Sequence, residues 1–196
     1  MTRGRRVALA ALLATGVVVA VGAVALGYAA LADPVEYASF VAAPTGGRDT
    51  GVPYDGRMQY QVPYADGGEV AWAVRVRNPL LVPVTITGVH PTLSELAPLV
   101  ASEELRRPGT DPVSLAPEDL RPFEPVELAP GEVATIVVRE QLAACAAAHE
   151  AWSPGSGLVR STLPLDVTVL GVPRTAEVDL RFAIIYAAPP GDCAAP

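Results

Sequence analysis

The sequence predicts an all-β protein: an antiparallel β-sandwich of about seven strands with one short helix, preceded by an N-terminal transmembrane helix. Three observations predict it. Residues 7–32 form a 26-residue run without a charged side chain. Much of the remaining chain alternates apolar and polar residues with a period of two, which is typical of strands that bury one face. The 20 prolines and 17 glycines among 196 residues argue against a helical bundle.

The apolar run is long enough to cross a bilayer. A helix over residues 7–32 extends about 39 Å, against a hydrocarbon core of about 30 Å. The arginines of the basic stub (residues 1–6) predict that the N-terminus lies in the cytoplasm and the rest outside. Retained anchor and cleaved signal both remain open, because Ala30-Leu31-Ala32 fits signal peptidase whereas the run exceeds the usual signal core of about 7–15 residues. The remainder is therefore expected at the cell membrane or secreted.

Charge separates the two parts of the chain. All 14 basic residues are arginine, and all 21 acidic residues follow the apolar run. Such an acidic body repels phosphate backbones, so we expect no nucleic-acid partner. Docking on anionic lipid headgroups is disfavoured for the same reason, and the surplus charge is typical of a soluble exposed domain.

The segment after the apolar run is rich in proline and glycine. Residues 33–56 therefore predict an extended linker that holds the domain, residues 57–196, away from the membrane. Tyr37, Phe40 and Tyr54 are the linker side chains able to pack against that domain.

Alternation predicts seven strands. In residues 69–77, Val70, Trp72, Val74 and Val76 share one face, and Asn78-Pro79 ends the strand. The last two strands form a hairpin around residues 171–173. A two-sheet sandwich is favoured and a closed barrel is the alternative. The predicted strands cover residues 57–62, 69–77, 82–89, 123–128, 133–139, 163–170 and 175–186.

Two stretches lack this period. Residues 90–122 contain six prolines and predict a long irregular excursion, with short helical pieces in residues 92–105 or one short strand. Loops of this length are often binding segments. Residues 140–152 are rich in alanine and predict a short helix.

Three segments carry a family resemblance. Arg75-Val76-Arg77-Asn78-Pro79, Pro83-Val84-Thr85-Ile86-Thr87-Gly88-Val89 and Val126-Glu127-Leu128-Ala129-Pro130-Gly131-Glu132-Val133 resemble the repeated features of bacterial extracellular immunoglobulin-like domains. The resemblance covers about residues 68–186 and implies an immunoglobulin-like sandwich. It implies little about function, since such domains serve as adhesins, spacers and accessory subunits. The Cys…Trp…Cys spacing of antibody domains is missing, so no inter-sheet disulfide is implied.

The two cysteines predict a disulfide. Cys145 and Cys193 both lie in the exported part, where an even count favours a bridge. A copper centre built from Cys145, His149 and His90 is disfavoured, because it leaves Cys193 unpaired and both methionines precede these residues. We therefore predict no metal and no cofactor.

No catalytic motif is present, so the sequence predicts a non-enzymatic envelope protein. We expect its extracellular domain to bind or support another envelope component, with residues 90–122 as the contact surface. One alternative is an accessory subunit of a membrane complex, packed through Ala23 and Gly27. A carbohydrate or small-ligand module is weakened by the small number of aromatic residues. The candidate contact residues are Trp152, Glu103, Glu104, Arg106 and Arg107.

Overall fold

The structure, a computed structural model, describes residues 3–63, 68–89, 96–97, 101–104, 115, 123–142 and 157–187. One helix, α1 (Arg3–Leu31), precedes the strands. The described residues form eleven strands: β1 (Glu36–Ala42), β2 (Arg48–Asp49), β3 (Met58–Pro63), β4 (Glu69–Arg77), β5 (Val84–Val89), β6 (Leu96–Ala97), β7 (Ala101–Glu104), β8 (Val126–Leu128), β9 (Val133–Leu142), β10 (Gly157–Val169) and β11 (Val172–Ala187).

These strands form two sheets around a shared core, so the all-β prediction is confirmed. The first sheet has the order β1-β4-β9, with β6 and β7 both pairing with β9. The second has the order β2-β3-β11-β10-β5-β8. All ladders are antiparallel except β3–β11. Trp72 and Ile136 of the first sheet and Ile86, Leu165 and Ile184 of the second are fully buried between them. The described strands form two separate sheets and not one closed barrel.

The predicted N-terminal helix is present. Leu13–Leu31 has a mean hydropathy of 2.0, long and apolar enough to cross a membrane, and only 6% of it is buried inside the protein. The helix stops before Pro34, because a proline ring disfavours helical backbone at the residue before it. Its last backbone bond runs from Ala32 N–H to the Tyr28 carbonyl.

The predicted linker contributes to both sheets, which is a difference from the sequence analysis. β1 pairs with β4 and β2 pairs with β3, so residues 33–56 are not only an extended connection. The glycines that suggested a linker lie in turns, where Gly46 and Gly51 have positive φ. The register of β1 shifts twice, and such irregularities break the alternation that would have predicted a strand.

Where the two helical predictions fall on described residues, those residues lie in strands. Residues 140–142 are the end of β9, where Glu140 pairs with Val70 of β4, and residues 143–156 lie outside the described part. In residues 92–105, the described residues form β6 and β7. Pairing with neighbouring strands overrides helix propensity in both places, as tertiary context commonly does.

The β10–β11 hairpin turns on two residues. Val169 pairs with Val172, and Leu170 (φ 49°) and Gly171 (φ 80°) connect them. Positive φ at both positions defines a type I′ turn, which favours Asn-Gly. Leucine in this conformation costs about 1–2 kcal/mol, and Leu170 is also 47% exposed. The turn therefore carries an apolar side chain where the backbone favours asparagine.

Replacing Leu170 with asparagine is expected to raise the free energy of unfolding by about 1 kcal/mol, because asparagine tolerates the left-handed conformation. Urea unfolding of the full chain in detergent, followed by tryptophan fluorescence, measures the change. Leu170→Ala is the control, since alanine removes the exposed side chain but keeps the unfavourable φ. An equal gain in both variants would assign the effect to the side chain and not to the backbone.

Candidate interaction surfaces

The two-sheet domain has two ends, and different elements meet at each of them. At the first, which we call the helix end, Arg77 pairs with Val133, and the β10–β11 turn lies beside α1. At the other, which we call the loop end, Glu69 pairs with Gln141 and Ala187 pairs with both Gly157 and Pro63. The described residues that border 64–67, 143–156 and 188–196 lie at the loop end. Val89, which borders residues 90–95, pairs with Leu165 in the middle of β10.

The last turn of α1 packs into the domain at the helix end. Ala29 is fully buried, and its carbonyl accepts a hydrogen bond from Arg174 Nη1 at 2.8 Å. The Tyr28 hydroxyl accepts one from the Leu81 N–H at 3.5 Å. Val35, just after the helix, is 3% exposed within the core. The helix and the two sheets therefore share one packed interface.

An apolar groove lies beside this interface, with a volume of about 520 Å³. One wall is α1 and the other is formed by two turns of the domain. Leu81, in the turn after β4, is 85% exposed although it lines the groove. The lining residues are Ala20, Val21, Val24, Ala25, Tyr28, Leu81, Val82 and Leu170.

Asn78 fixes the turn that carries Leu81. Its side chain is completely buried. Nδ2 donates to the carbonyls of Val82 and Leu128, both at 2.9 Å, and Oδ1 accepts from the Leu80 N–H at 2.8 Å. The Asn78 backbone also bonds with the β8–β9 turn, at Gly131 and Glu132. Asn78 therefore connects the two turns at the helix end through its side chain and its backbone.

A buried ionisable cluster lies toward the loop end. Glu140 is 2% exposed and follows Ile136 and Val138 on the inner face of β9. The Tyr186 hydroxyl donates to Glu140 Oε2, and Arg160 Nε lies 2.7 Å from Oε1. The Trp72 indole N–H faces the same carboxylate outside ordinary hydrogen-bond geometry. The cluster thus links β9, β10 and β11.

Burial raises the pKa of Glu140, while the Arg160 charge and the Trp72 indole act in the opposite direction. Because carboxylate and phenol are both enclosed, we interpret the cluster as a structural pairing. Sequence analysis missed it by assigning Glu140 to a helix. The available signal was that Ala134, Ile136 and Val138 continue in phase to Glu140.

Aromatic rings close one side of the core. Phe40 stacks on Tyr60 with ring centroids 5.5 Å apart and meets Phe182 edge-on at 5.1 Å. Phe182 also meets Trp72 edge-on. Tyr60 is 8% exposed, and burial raises its pKa, with the Asp49 charge acting in the same direction. These rings face one another across the sheets and form no exposed row of the kind that stacks on sugars.

The predicted contact residues are only partly within the described chain. Glu103 and Glu104 lie in β7, opposite Ile136 and Thr135 of β9. The disulfide and the remaining contact residues stay predictions. No group of three His, Cys, Asp or Glu residues able to hold a metal occurs in the ranges that the structure describes. Outside those ranges lie Cys145, Cys193, Trp152, Arg106, Arg107, His90 and His149.

Comparison with known proteins adds little. No protein-family model matches the chain, and no curated protein is significantly similar to it. A solved structure of the Vibrio cholerae VesB protease is similar over 66% of this chain, with 14% identity and a TM-score of 0.33. The chain spans 30% of that protein's length. A likeness this distant supports no argument about fold or activity.

Proposed function

We propose that the chain is a non-enzymatic, single-pass membrane protein with a cytoplasmic N-terminus. Its immunoglobulin-like β-sandwich sits outside the cytoplasm and binds another envelope protein through residues 90–122, the segment that contains β7. The packing of the last turn of α1 into the domain supports a retained anchor, because cleavage after α1 would take Ala29 out of the folded core.

Helix length supports a retained anchor. The 29 residues of α1 extend about 43 Å, whereas a hydrocarbon core is about 30 Å thick and requires about 20 residues. A span that begins after Arg6 therefore ends near Leu26. The following turn is left outside the hydrocarbon, where Tyr28 and Ala29 contact the domain.

The contacts at the helix end support the immunoglobulin-like assignment. The Asn turn and the Pro-Gly-Glu turn, which carry the resemblance in sequence, are hydrogen-bonded to each other through Asn78. The Pro-Gly-Glu turn is closed by the Glu132 N–H and the Ala129 carbonyl, with Gly131 at φ 77°. Two features that resemble one family are thus parts of one structural unit.

Anchor retention is tested by the mass of the mature protein recovered from membranes. We expect a chain that still contains α1, resists carbonate extraction and exposes a C-terminal tag to protease added outside intact cells. Deletion of residues 12–23 is the control, because it shortens the apolar run to about 14 residues, within the range of cleaved signals. A wild-type chain that begins at Asp33 would overturn the anchor.

Partner binding is tested by charge reversal on β7. Edge strands present unpaired backbone groups, and acidic side chains there limit unwanted pairing while leaving the edge open to a chosen partner. We expect Glu103→Arg with Glu104→Arg to reduce stoichiometric co-purification of a protein after mild detergent extraction. The matched control is Glu124→Arg with Glu127→Arg, at exposed positions before and within β8. Equal recovery with both pairs would contradict a contact at β7.

One observation favours the accessory-subunit alternative. A Cβ added at Gly16 or Gly27, which lie within about 20° of each other around the helix, would meet nothing within 4 Å. That side of α1 is open to close approach by another helix, and small residues commonly line such contacts. Cross-linking from position 27 to a stoichiometric membrane protein would favour this alternative over a partner bound at β7.

A further inference from the structure

We propose that the two apolar turns at the helix end enter the outer leaflet, and that the groove between them and α1 holds phospholipid acyl chains. The juxtaposition of Leu81 and Leu170 with Val21 and Val24 on one groove carries this inference. It rests on the proposed membrane anchor and adds a specific lipid contact for the domain itself.

Helix length fixes the depth of the groove. A span that begins after Arg6 and covers about 30 Å ends near Leu26. Ala20, Val21, Val24 and Ala25 then lie roughly 2–9 Å inside that boundary, at 1.5 Å per residue. Leu81 and Leu170 line the same groove as these residues, and apolar groups that bind at the interface enter to about 5–10 Å. Tyr28 falls at headgroup level, where tyrosine is enriched.

The composition of the two turns agrees with this depth. Residues 79–83 read Pro-Leu-Leu-Val-Pro and residues 169–173 read Val-Leu-Gly-Val-Pro, without a charged or polar side chain in either. The rest of the exported part carries 21 acidic residues. Leu170 also keeps an exposed apolar side chain at φ 49°, where asparagine would suit the backbone better. An apolar tip held at conformational cost is expected where it contacts lipid.

A second transmembrane helix is the competing occupant, and the geometry of α1 favours lipid. Helical residues are rotated by about 100° from one to the next, so the groove residues share one face of α1, with Ala20 and Ala25 at its edges and Val21 and Val24 between them. Close helix packing uses small residues, whereas the centre of this face carries larger side chains. The groove itself presents Val21 and Val24, which are 62% and 73% exposed.

Depth-dependent quenching tests the proposal on the full chain reconstituted in phosphatidylcholine vesicles with brominated acyl chains. Tryptophan is added at one site at a time, and the signal of the unsubstituted chain is subtracted. We expect the added fluorescence of Leu81→Trp and Leu170→Trp to be lost in brominated vesicles. Val52→Trp, at a 63% exposed position in the connection between β2 and β3, is the control that keeps its fluorescence.

Leu13→Trp, within the apolar helix, distinguishes loss of the lipid contact at the turns from loss of the membrane anchor. If this variant is quenched and the two turn variants are not, the lipid contact is overturned and the anchor stands. If it is not quenched either, the anchor and the proposed function both fail. A photoreactive amino acid at position 170 in native membranes gives an independent readout. Lipid adducts are expected there, and a stoichiometric protein adduct would overturn the proposal in favour of a partner helix.

Discussion

Replacing Asn78 with alanine is expected to lower the free energy of unfolding by about 3–5 kcal/mol. The substitution leaves the buried Leu128 carbonyl, the partly buried Val82 carbonyl and the buried Leu80 N–H without their partner. Each unsatisfied buried group costs about 1–3 kcal/mol, and the completely buried position limits compensation by water. Urea unfolding of the full chain in detergent, followed by tryptophan fluorescence, measures the loss.

Gln61→Ala is the control for the Asn78 experiment. The Gln61 side chain makes one exposed hydrogen bond, from Arg48 Nη2 at 3.2 Å, so we expect a change within about 0.5 kcal/mol. If the two variants lose similar stability, the hydrogen bonds of Asn78 do not hold the helix end together. A large loss for Asn78→Ala alone would support its role in positioning Leu81.

The long inner strands could be predicted from the sequence because the residues facing the core recur with a period of two. Trp72 and its neighbours at alternate positions of β4 are buried as predicted. In β11, all six residues predicted to share a face, from Ala176 to Tyr186, are buried. Both strands have a ladder partner on each side, and a central strand must present one continuous apolar face.

The edges could not be predicted in the same way. β2 and β6 have two residues each, which is too short for a period to be detected. β1 is longer, but its register shifts after Tyr37 and after Phe40, so its apolar residues do not alternate. Short, irregular strands are common at sheet edges, where they limit pairing with other chains.

The groove and the buried cluster depend on residues far apart in the chain. Leu81 and Leu170 meet α1 because two turns lie at the same end of the sheets, and no local pattern contains that information. A register shift of β10 between Arg160 and Thr162 changes which residues face inward, and this brings Arg160 to Glu140. The apolar composition of the two turns can be read from the sequence, but that they form a groove wall depends on their position beside α1.

Removing the charge of Arg160 is expected to destabilise the protein by about 3–5 kcal/mol at pH 8, because it leaves the Glu140 carboxylate buried and unpaired. The measurement is urea unfolding of Arg160→Met at pH 8 and at pH 5. The loss is expected to be smaller at pH 5. Without Arg160, the charge that holds down the pKa of Glu140 is gone, and the carboxyl can take up a proton and become neutral.

The direction of this pH dependence follows from the linkage between folding and protonation of Glu140. Burial raises the folded-state pKa of Glu140 above its ordinary value of 4.5, so between those two values the folded state holds more protons than the unfolded state. The contribution of this group to stability is therefore fully present below about pH 4.5 and is lost as the pH rises through the folded-state pKa. Arg160→Met raises that pKa further, so the stability contributed by Glu140 is lost over a wider range of pH.

Two variants make the result specific to the pair. Glu140→Leu with Arg160→Met removes both charges, and we expect it to recover most of the lost stability at pH 8, as replacement of buried ion pairs by apolar residues often does. Arg57→Met removes a more exposed partner, 2.7 Å from Asp179, and is expected to change stability by less than about 1 kcal/mol. If Arg160→Met loses the same stability at both pH values, the carboxyl is not being forced to remain charged, and the cluster is held by packing instead.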